Sequence, residues 1–184
     1  MKTNLNYDMF VPTRTLFGAG TLNELHAQPM PGRKALLVIS NGRSTRANSY
    51  LSRTEEQLRM AGVETVLFDR VEANPLKSTV MAGGAMAREN GCDMIVALGG
   101  GSVMDAAKAI AVVASNGGDY WDYIPCGTGK GKAVAETPLP IVAITTTAGT
   151  GSETDAGCVI TNAETHEKTG FVHPALFPVL AVID

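Results

Sequence analysis

Met94-Ile95-Val96-Ala97-Leu98-Gly99-Gly100-Gly101-Ser102-Val103-Met104-Asp105-Ala106-Ala107-Lys108 is the stretch on which the reading of this chain turns. An apolar run ends abruptly in three glycines, and a serine and a helix-period pattern follow. Strand, glycine turn and helix N-terminus together make an anion site. The free N–H groups of the first helical turn point above the glycines, and the helix dipole favours negative charge there. A side chain at Gly100 or Gly101 would keep a phosphate off the backbone. The segment therefore predicts a phosphorylated ligand, with a nucleotide the first choice. A purely structural reading stays open, because close strand–helix packing also needs small residues. Ser102 and Asp105 fit a capping box, Ser-x-x-Asp, in which each side chain holds a backbone N–H. A carboxylate would repel a phosphate placed on it, so Asp105 is expected to order the turn rather than meet the ligand's charge.

Outward from this stretch, strands and helices alternate. Lys34 to Ile39 reads as a buried strand, followed by the polar loop Ser40-Asn41-Gly42-Arg43-Ser44. Residues 46 to 61 read as a helix ended by Gly62, Val63 to Phe68 as a second strand, and Lys77 to Asn90 as a second helix. Met94 to Leu98 is the third strand and Ser102 to Ser115 the third helix. Pro140 to Thr145 is another strand and Cys158 to Thr161 a short one. Met9 to Phe17 alternates loosely around Pro12 and predicts an edge strand or the arm of a hairpin. Residues 117 to 137 predict an irregular excursion, and Leu180 to Ile183 is an apolar run. Continuous apolar strands alternating with helices argue an α/β fold: a Rossmann-like, doubly wound parallel sheet covered on both faces.

Bulk properties exclude several classes. The 184 residues are 45% hydrophobic and 18% charged, which suits a globular protein with a sizeable core. A net charge of −3 without a basic run argues against nucleic acid. No apolar stretch approaches the roughly 20 residues needed to span a bilayer, and no signal peptide is visible. Cys92, Cys126 and Cys158 are odd in number and far apart. They fit a reducing cytoplasm and are expected to be buried or half-buried small hydrophobes.

Thr146-Thr147-Ala148-Gly149-Thr150-Gly151-Ser152-Glu153 follows a predicted strand, as the glycines do. Ligands collect at that edge of an open parallel sheet, and hydroxyls there can bond phosphate or ribose. The dinucleotide fingerprint G-x-G-x-x-G is absent after the first strand. Gly127 to Lys132 fails the P-loop spacing and predicts a mobile surface loop. His166-Glu167 is not a zincin motif, since Gly170 stands where the second histidine belongs. No constellation for proton transfer or nucleophilic attack is visible.

Together the motifs resemble the iron-containing (group III) alcohol dehydrogenases. The matching pieces are Phe17-Gly18-Ala19-Gly20, Asn74-Pro75, Gly99 to Lys108, Pro138 to Ile144, Thr146 to Glu153 and Pro178 to Asp184, in order across the whole chain. The resemblance implies an NAD(P)-dependent oxidoreductase that moves hydride between nicotinamide and a small alcohol or aldehyde. It implies a two-domain protein of about twice this length. The first half would be the cofactor domain and the second an all-helical domain holding a divalent metal, usually iron, on one aspartate and three histidines. Residues 1–184 are then expected to be the cofactor-binding domain alone, with no catalytic or metal-binding residue of its own. It would bind cofactor without catalysing, sit in the cytoplasm, contact no membrane, and associate as a homo-oligomer.

Carried over by position, Gly100, Gly101 and Ser102 resemble the pyrophosphate clamp. Asn74, Thr146, Thr147 and Thr150 would line the ribose and nicotinamide side, and Val159 and Lys168 the nicotinamide half. Asn41 stands where many NAD-preferring members place an aspartate beside the adenine ribose. The lost charge, with Arg43 nearby, predicts weakened NAD preference and access for NADP. Two other readings remain: a stand-alone nucleotide-binding module, and a relative of glycerol dehydrogenase or dehydroquinate synthase, whose threonine loops differ.

Overall fold

The computed structural model describes residue 6 and residues 8–184. Its strands are β1 (Arg14–Phe17), β2 (Lys34–Ser40), β3 (Glu64–Val71), β4 (Met94–Gly99), β5 (Ile141–Thr145), β6 (Gly157–Asn162), β7 (Glu167–Val172) and β8 (Leu180–Ile183). Its α-helices are α1 (Ser44–Ala47), α2 (Tyr50–Met60), α3 (Lys77–Glu89) and α4 (Gly101–Asn116). Six strands form one parallel sheet in the order β1-β8-β5-β4-β2-β3. β6 and β7 form a separate antiparallel hairpin.

Both faces of the sheet are covered, which is why the central strands are apolar without alternation. Along β2, Leu36 and Val38 enter the core beneath α3 and α4, while Ala35, Leu37 and Ile39 enter the core beneath α2 and the short 3-10 helix Thr21–Ala27. Helix α4 is buried continuously from Ala106 to Val113, between the sheet, α3 and the hairpin. Gly83 and Gly84 let α3 lie close to it: a Cβ on Gly84 would stand 2.7 Å from Cγ1 of Val113.

Several boundaries differ from the sequence reading. The helix expected over 46–61 is two helices, because Ser49 takes a left-handed conformation (φ 58°) between them. Asn48 donates its side-chain amide to the carbonyl of Ser44, closing α1, and α2 starts afresh. β3 runs on through Asp69 and Arg70, since an edge strand tolerates polar residues. α4 begins at Gly101 with Gly100 as its N-cap and no side-chain cap, so Ser102 and Asp105 form no capping box. Of Met9 to Phe17, only Arg14–Phe17 is a strand, an edge strand parallel to β8 rather than a hairpin arm.

Leu180–Ile183 is an interior strand between β1 and β5. β7 lacked an apolar signal, because most of its side chains are exposed or half-exposed. The excursion at 117–137 contains a 3-10 turn, Tyr120–Tyr123, that buries Tyr120, Trp121 and Tyr123. The loop at Gly127 to Lys132 is on the surface, where Thr128 is tied to the Glu167 carboxylate through its amide and hydroxyl. Cys92 and Cys158 are buried as expected, but Cys126 is exposed, its Sγ near the Thr169 hydroxyl. Among the described residues no helix is long and apolar enough to cross a membrane.

Candidate nucleotide-binding site

Because the six strands are parallel, the loops after β2, β3, β4 and β5 all emerge at one edge of the sheet. The chain leaves β2 toward β3 on one side and leaves β4 toward β5 on the other. That reversal opens a crevice at the carboxyl ends of β2 and β4, where doubly wound sheets take their ligands. The turn Gly99-Gly100-Gly101 lies beside it.

At the start of α4 the Gly100 carbonyl accepts from the amides of Val103 (3.0 Å) and Met104 (3.1 Å). Among the described residues, the amides of Gly101 and Ser102 have no protein acceptor. They are the orphan donors of a helix N-terminus, above a turn without side chains. The threonine loop packs on the same turn. A Cβ on Gly100 would lie 3.0 Å from Oγ1 of Thr147, and one on Gly101 3.0 Å from Cγ2 of Thr150. A Cβ at either glycine would thus press on the threonine side chains above as well as stand in the way of a phosphate.

Two clefts flank the threonine loop. The first, about 480 Å³, lies between the start of α4, the Asn74-Pro75 turn and the hairpin. Asn74 is left-handed (φ 55°), and its Oδ1 accepts from Nζ of Lys168 on β7 at 2.7 Å. The Thr161 amide donates to the Pro75 carbonyl at 2.9 Å, fixing the hairpin to that turn. Lys77 reinforces this from the first turn of α3, reaching Glu164 at the hairpin tip (2.8 Å) and Asp119 (3.2 Å). The second cleft, about 590 Å³, lies on the other side of the loop, against Tyr50, Arg53, Leu98 and Asp184.

The structure brings Asn74, Gly101, Ser102, Thr150, Val159 and Lys168 together around the first cleft. Thr146 and Thr147 line the second. Gly100 sits under Thr147 at the boundary between the two. Asn41 lines neither: it is exposed at the end of β2, its amide donating to the Val71 carbonyl at 2.8 Å.

Sequence reasoning missed a polar cluster under the first cleft. Asp105 turns away from the helix N-terminus and accepts from the Ser152 hydroxyl (2.9 Å) and the Val159 amide (3.0 Å). Burial raises the Asp105 carboxyl above its ordinary value, against the opposing pull of those hydrogen bonds and of Lys108. Lys108 lies below it, with partners on Ser152, Asp155 and Gly157. The available signal was a single cation on the otherwise apolar run Ala106 to Val113. The floor of the cleft also holds Cys158, whose thiol burial pushes up to about 12 and which contacts the Tyr120 hydroxyl at 3.3 Å. At neutral pH the Cys158 thiol therefore carries no charge. Among the described residues no group of three His, Cys, Asp or Glu side chains is placed to hold a metal ion.

A doubly wound parallel sheet with a glycine turn at the carboxyl ends of its strands is the architecture in which α/β proteins take nucleotides. The family model described as "Iron-containing alcohol dehydrogenase" matches residues 12–184, and the chain belongs to that family. It is 37% identical over 179 residues to a probable NADH-dependent butanol dehydrogenase 1 of Bacillus subtilis, covering 97% of this chain and 45% of the relative. It is 38% identical over 181 residues to a 1,3-propanediol dehydrogenase of Klebsiella pneumoniae, again covering 97% and 45%. Among solved structures, the NADH-dependent butanol dehydrogenase A of Thermotoga maritima superposes with a TM-score of 0.88 at 34% identity, covering 97% of this chain and 44% of that one. The sulfoacetaldehyde reductase of Bifidobacterium kashiwanohense, solved in complex with NAD+, superposes with a TM-score of 0.84 at 30% identity, covering 98% and 46%. The chain spans less than half the length of these relatives.

Proposed function

We propose that residues 1–184 form a cofactor-binding domain that holds NAD or NADP for an alcohol dehydrogenase. The observation that carries this reading is the pair of free amides on Gly101 and Ser102, set over a side-chain-free turn at the shared strand edge. The pyrophosphate accepts from those amides. Thr146, Thr147 and Thr150 offer hydroxyls to the phosphates and riboses on either side. Lys168, held by Asn74, offers its ammonium to a ribose hydroxyl in the first cleft. Val159 and the uncharged Cys158 give the nicotinamide an apolar support.

In the whole protein, a divalent metal, iron by the family's description, would polarise the oxygen of a small alcohol or aldehyde. In this reading residues 1–184 hold the cofactor, and the metal-bearing helical domain of the family supplies the turnover. The chain works in the cytoplasm and self-associates through the apolar edge around β1.

Calorimetric titration with NADH and NADPH separately tests the reading. Binding of either supports it, and binding of neither overturns it. The ratio tests Asn41. At the adenine ribose a carboxylate accepts from a 2′-hydroxyl and repels a 2′-phosphate, so Asn41→Asp is expected to shift the ratio toward NADH by about tenfold. An unchanged ratio removes Asn41 from cofactor selection.

A further inference from the structure

The Lys108 side chain is fully buried, at 0% exposure. Its ammonium has three donors and meets three acceptors: the Ser152 hydroxyl at 3.0 Å, Oδ1 of Asp155 at 2.6 Å and the Gly157 carbonyl at 2.8 Å. The same Asp155 oxygen accepts from the Gly157 amide at 2.8 Å. One turn earlier on α4, Asp105 takes the Ser152 hydroxyl and the Val159 amide. These contacts all lead from α4 to two places, Ser152 just after the threonine loop and the first residues of β6. The first turn of the same helix, just before Asp105, carries the free amides of the anion site. One rigid helix therefore holds both the phosphate end of the cleft and the opposite wall, which bears Val159 and, on the paired strand, Lys168.

A buried ammonium between two carboxylates is not needed for a stable core, since apolar residues of similar volume often serve as well. What it supplies is a fixed geometry. Without Lys108, Asp105 on Ser152 and the Val159 amide, and Asp155 on the Gly157 amide, would have no cation between them.

We propose that Lys108 and Asp105 are positioning residues that set the height of the β6–β7 hairpin over the cleft, so that the nicotinamide half of the dinucleotide, and not its phosphate half, depends on them. The proposal rests on the nucleotide reading given above. It assigns the glycine turn to affinity for the ADP portion and the Lys108 cluster to registration of the nicotinamide.

The test compares ADP and NADH on the parent chain, Lys108→Met and Ser152→Ala. Affinities are read by calorimetry and the nicotinamide environment by the fluorescence of bound NADH. In Lys108→Met, ADP affinity is expected to stay within roughly twofold while NADH affinity falls by about tenfold or more, with loss of the bound-NADH fluorescence change. Ser152→Ala, which leaves the ammonium on Asp155 and Gly157, is expected to show the same split more weakly. Equal losses for ADP and NADH would mean a general structural role and overturn the proposal, as would no change in either. If Lys108→Met does not fold, the split in Ser152→Ala decides. A parent that binds ADP but shows no split in the variants sinks this proposal alone. A parent that binds neither ligand overturns the nucleotide reading and this inference with it.

Discussion

A methyl group on Gly101 would stand 3.0 Å from Thr150 Cγ2 and 3.3 Å from its Cβ. Either the threonine loop lifts or the start of α4 shifts, and both disturb the amides offered to phosphate. Gly101→Ala is therefore expected to lose about 1–3 kcal/mol of stability in a thermal melt and to weaken ADP binding; a variant binding ADP as well as the parent would show that loop and turn are not coupled. The cysteines allow a cleaner experiment. Burial holds the thiols of Cys92 and Cys158 above their ordinary values, and Cys126 is exposed. A thiol reagent at neutral pH is expected to label one cysteine of the native chain quickly, at Cys126, and the other two only on unfolding; fast labelling of Cys158 would contradict its burial. Residue by residue, the sequence was informative where a residue type has few alternatives. Three glycines between a strand and a helix have few readings. Lys108 does not stand out, because a lysine in an alanine-rich helix reads as solvated unless three acceptors from distant segments are known to surround it.

At the scale of elements, the central strands were legible because both their faces are buried and apolar character runs unbroken along them. β7 was not, since it is paired only with β6 and shows solvent most of its side chains. The break at Ser49 was also hidden: Arg46, Ala47, Asn48 and Ser49 are all compatible with a polar helix face, and only the left-handed Ser49 divides it. The contact at the end of β8 carries a pH prediction. The Asp184 carboxylate accepts from the Gly20 amide at 2.7 Å, the Leu22 amide at 3.3 Å and Arg53 at 3.3 Å. The Gly20 amide foremost, with Leu22 and Arg53 adding, holds its carboxyl below the model-compound value of 3.8. A carboxyl lowered on folding contributes stability that is present above its unfolded value and lost as pH falls through the folded one. Asp184→Asn is therefore expected to melt earlier than the parent at neutral pH and to lose less on acidification from about pH 5 to about pH 2. Parallel acid profiles for the two would show that the contact contributes nothing.

The whole molecule brings six of the ten sequence-predicted site residues around one cleft, and that gathering follows from topology rather than from any motif. A spacing pattern says which loops follow strands. It does not say that the threonine loop divides the edge into two clefts, or that Asn41 lies outside both. Among the described residues β1 is the margin of the sheet: Phe17 at its end is 80% exposed, and Met9, Phe10 and Val11 before it are exposed as well. An open edge with apolar side chains favours pairing with another copy. Sedimentation is expected to show self-association that Phe17→Lys weakens; a parent monomeric at every concentration would remove that edge as an interface.

The pairing of β1 with β8, Arg14 opposite Leu180, also has a consequence for synthesis. A ribosome delivers Arg14–Phe17 early, yet β8, their partner among the described residues, follows only after β2 to β7 have been made. Translation proceeds at about 5–20 residues per second, so the nascent β1 waits for roughly ten seconds or more with its hydrogen-bonding groups unmet. Strands β2 to β5, contiguous in the sheet, can assemble in the meantime, and β8 then docks on β5 and collects β1. The sheet is thus completed from the β3 side toward β1. The interval before β8 arrives is when a chaperone, or a neighbouring nascent chain, has its best opportunity to seize the free segment.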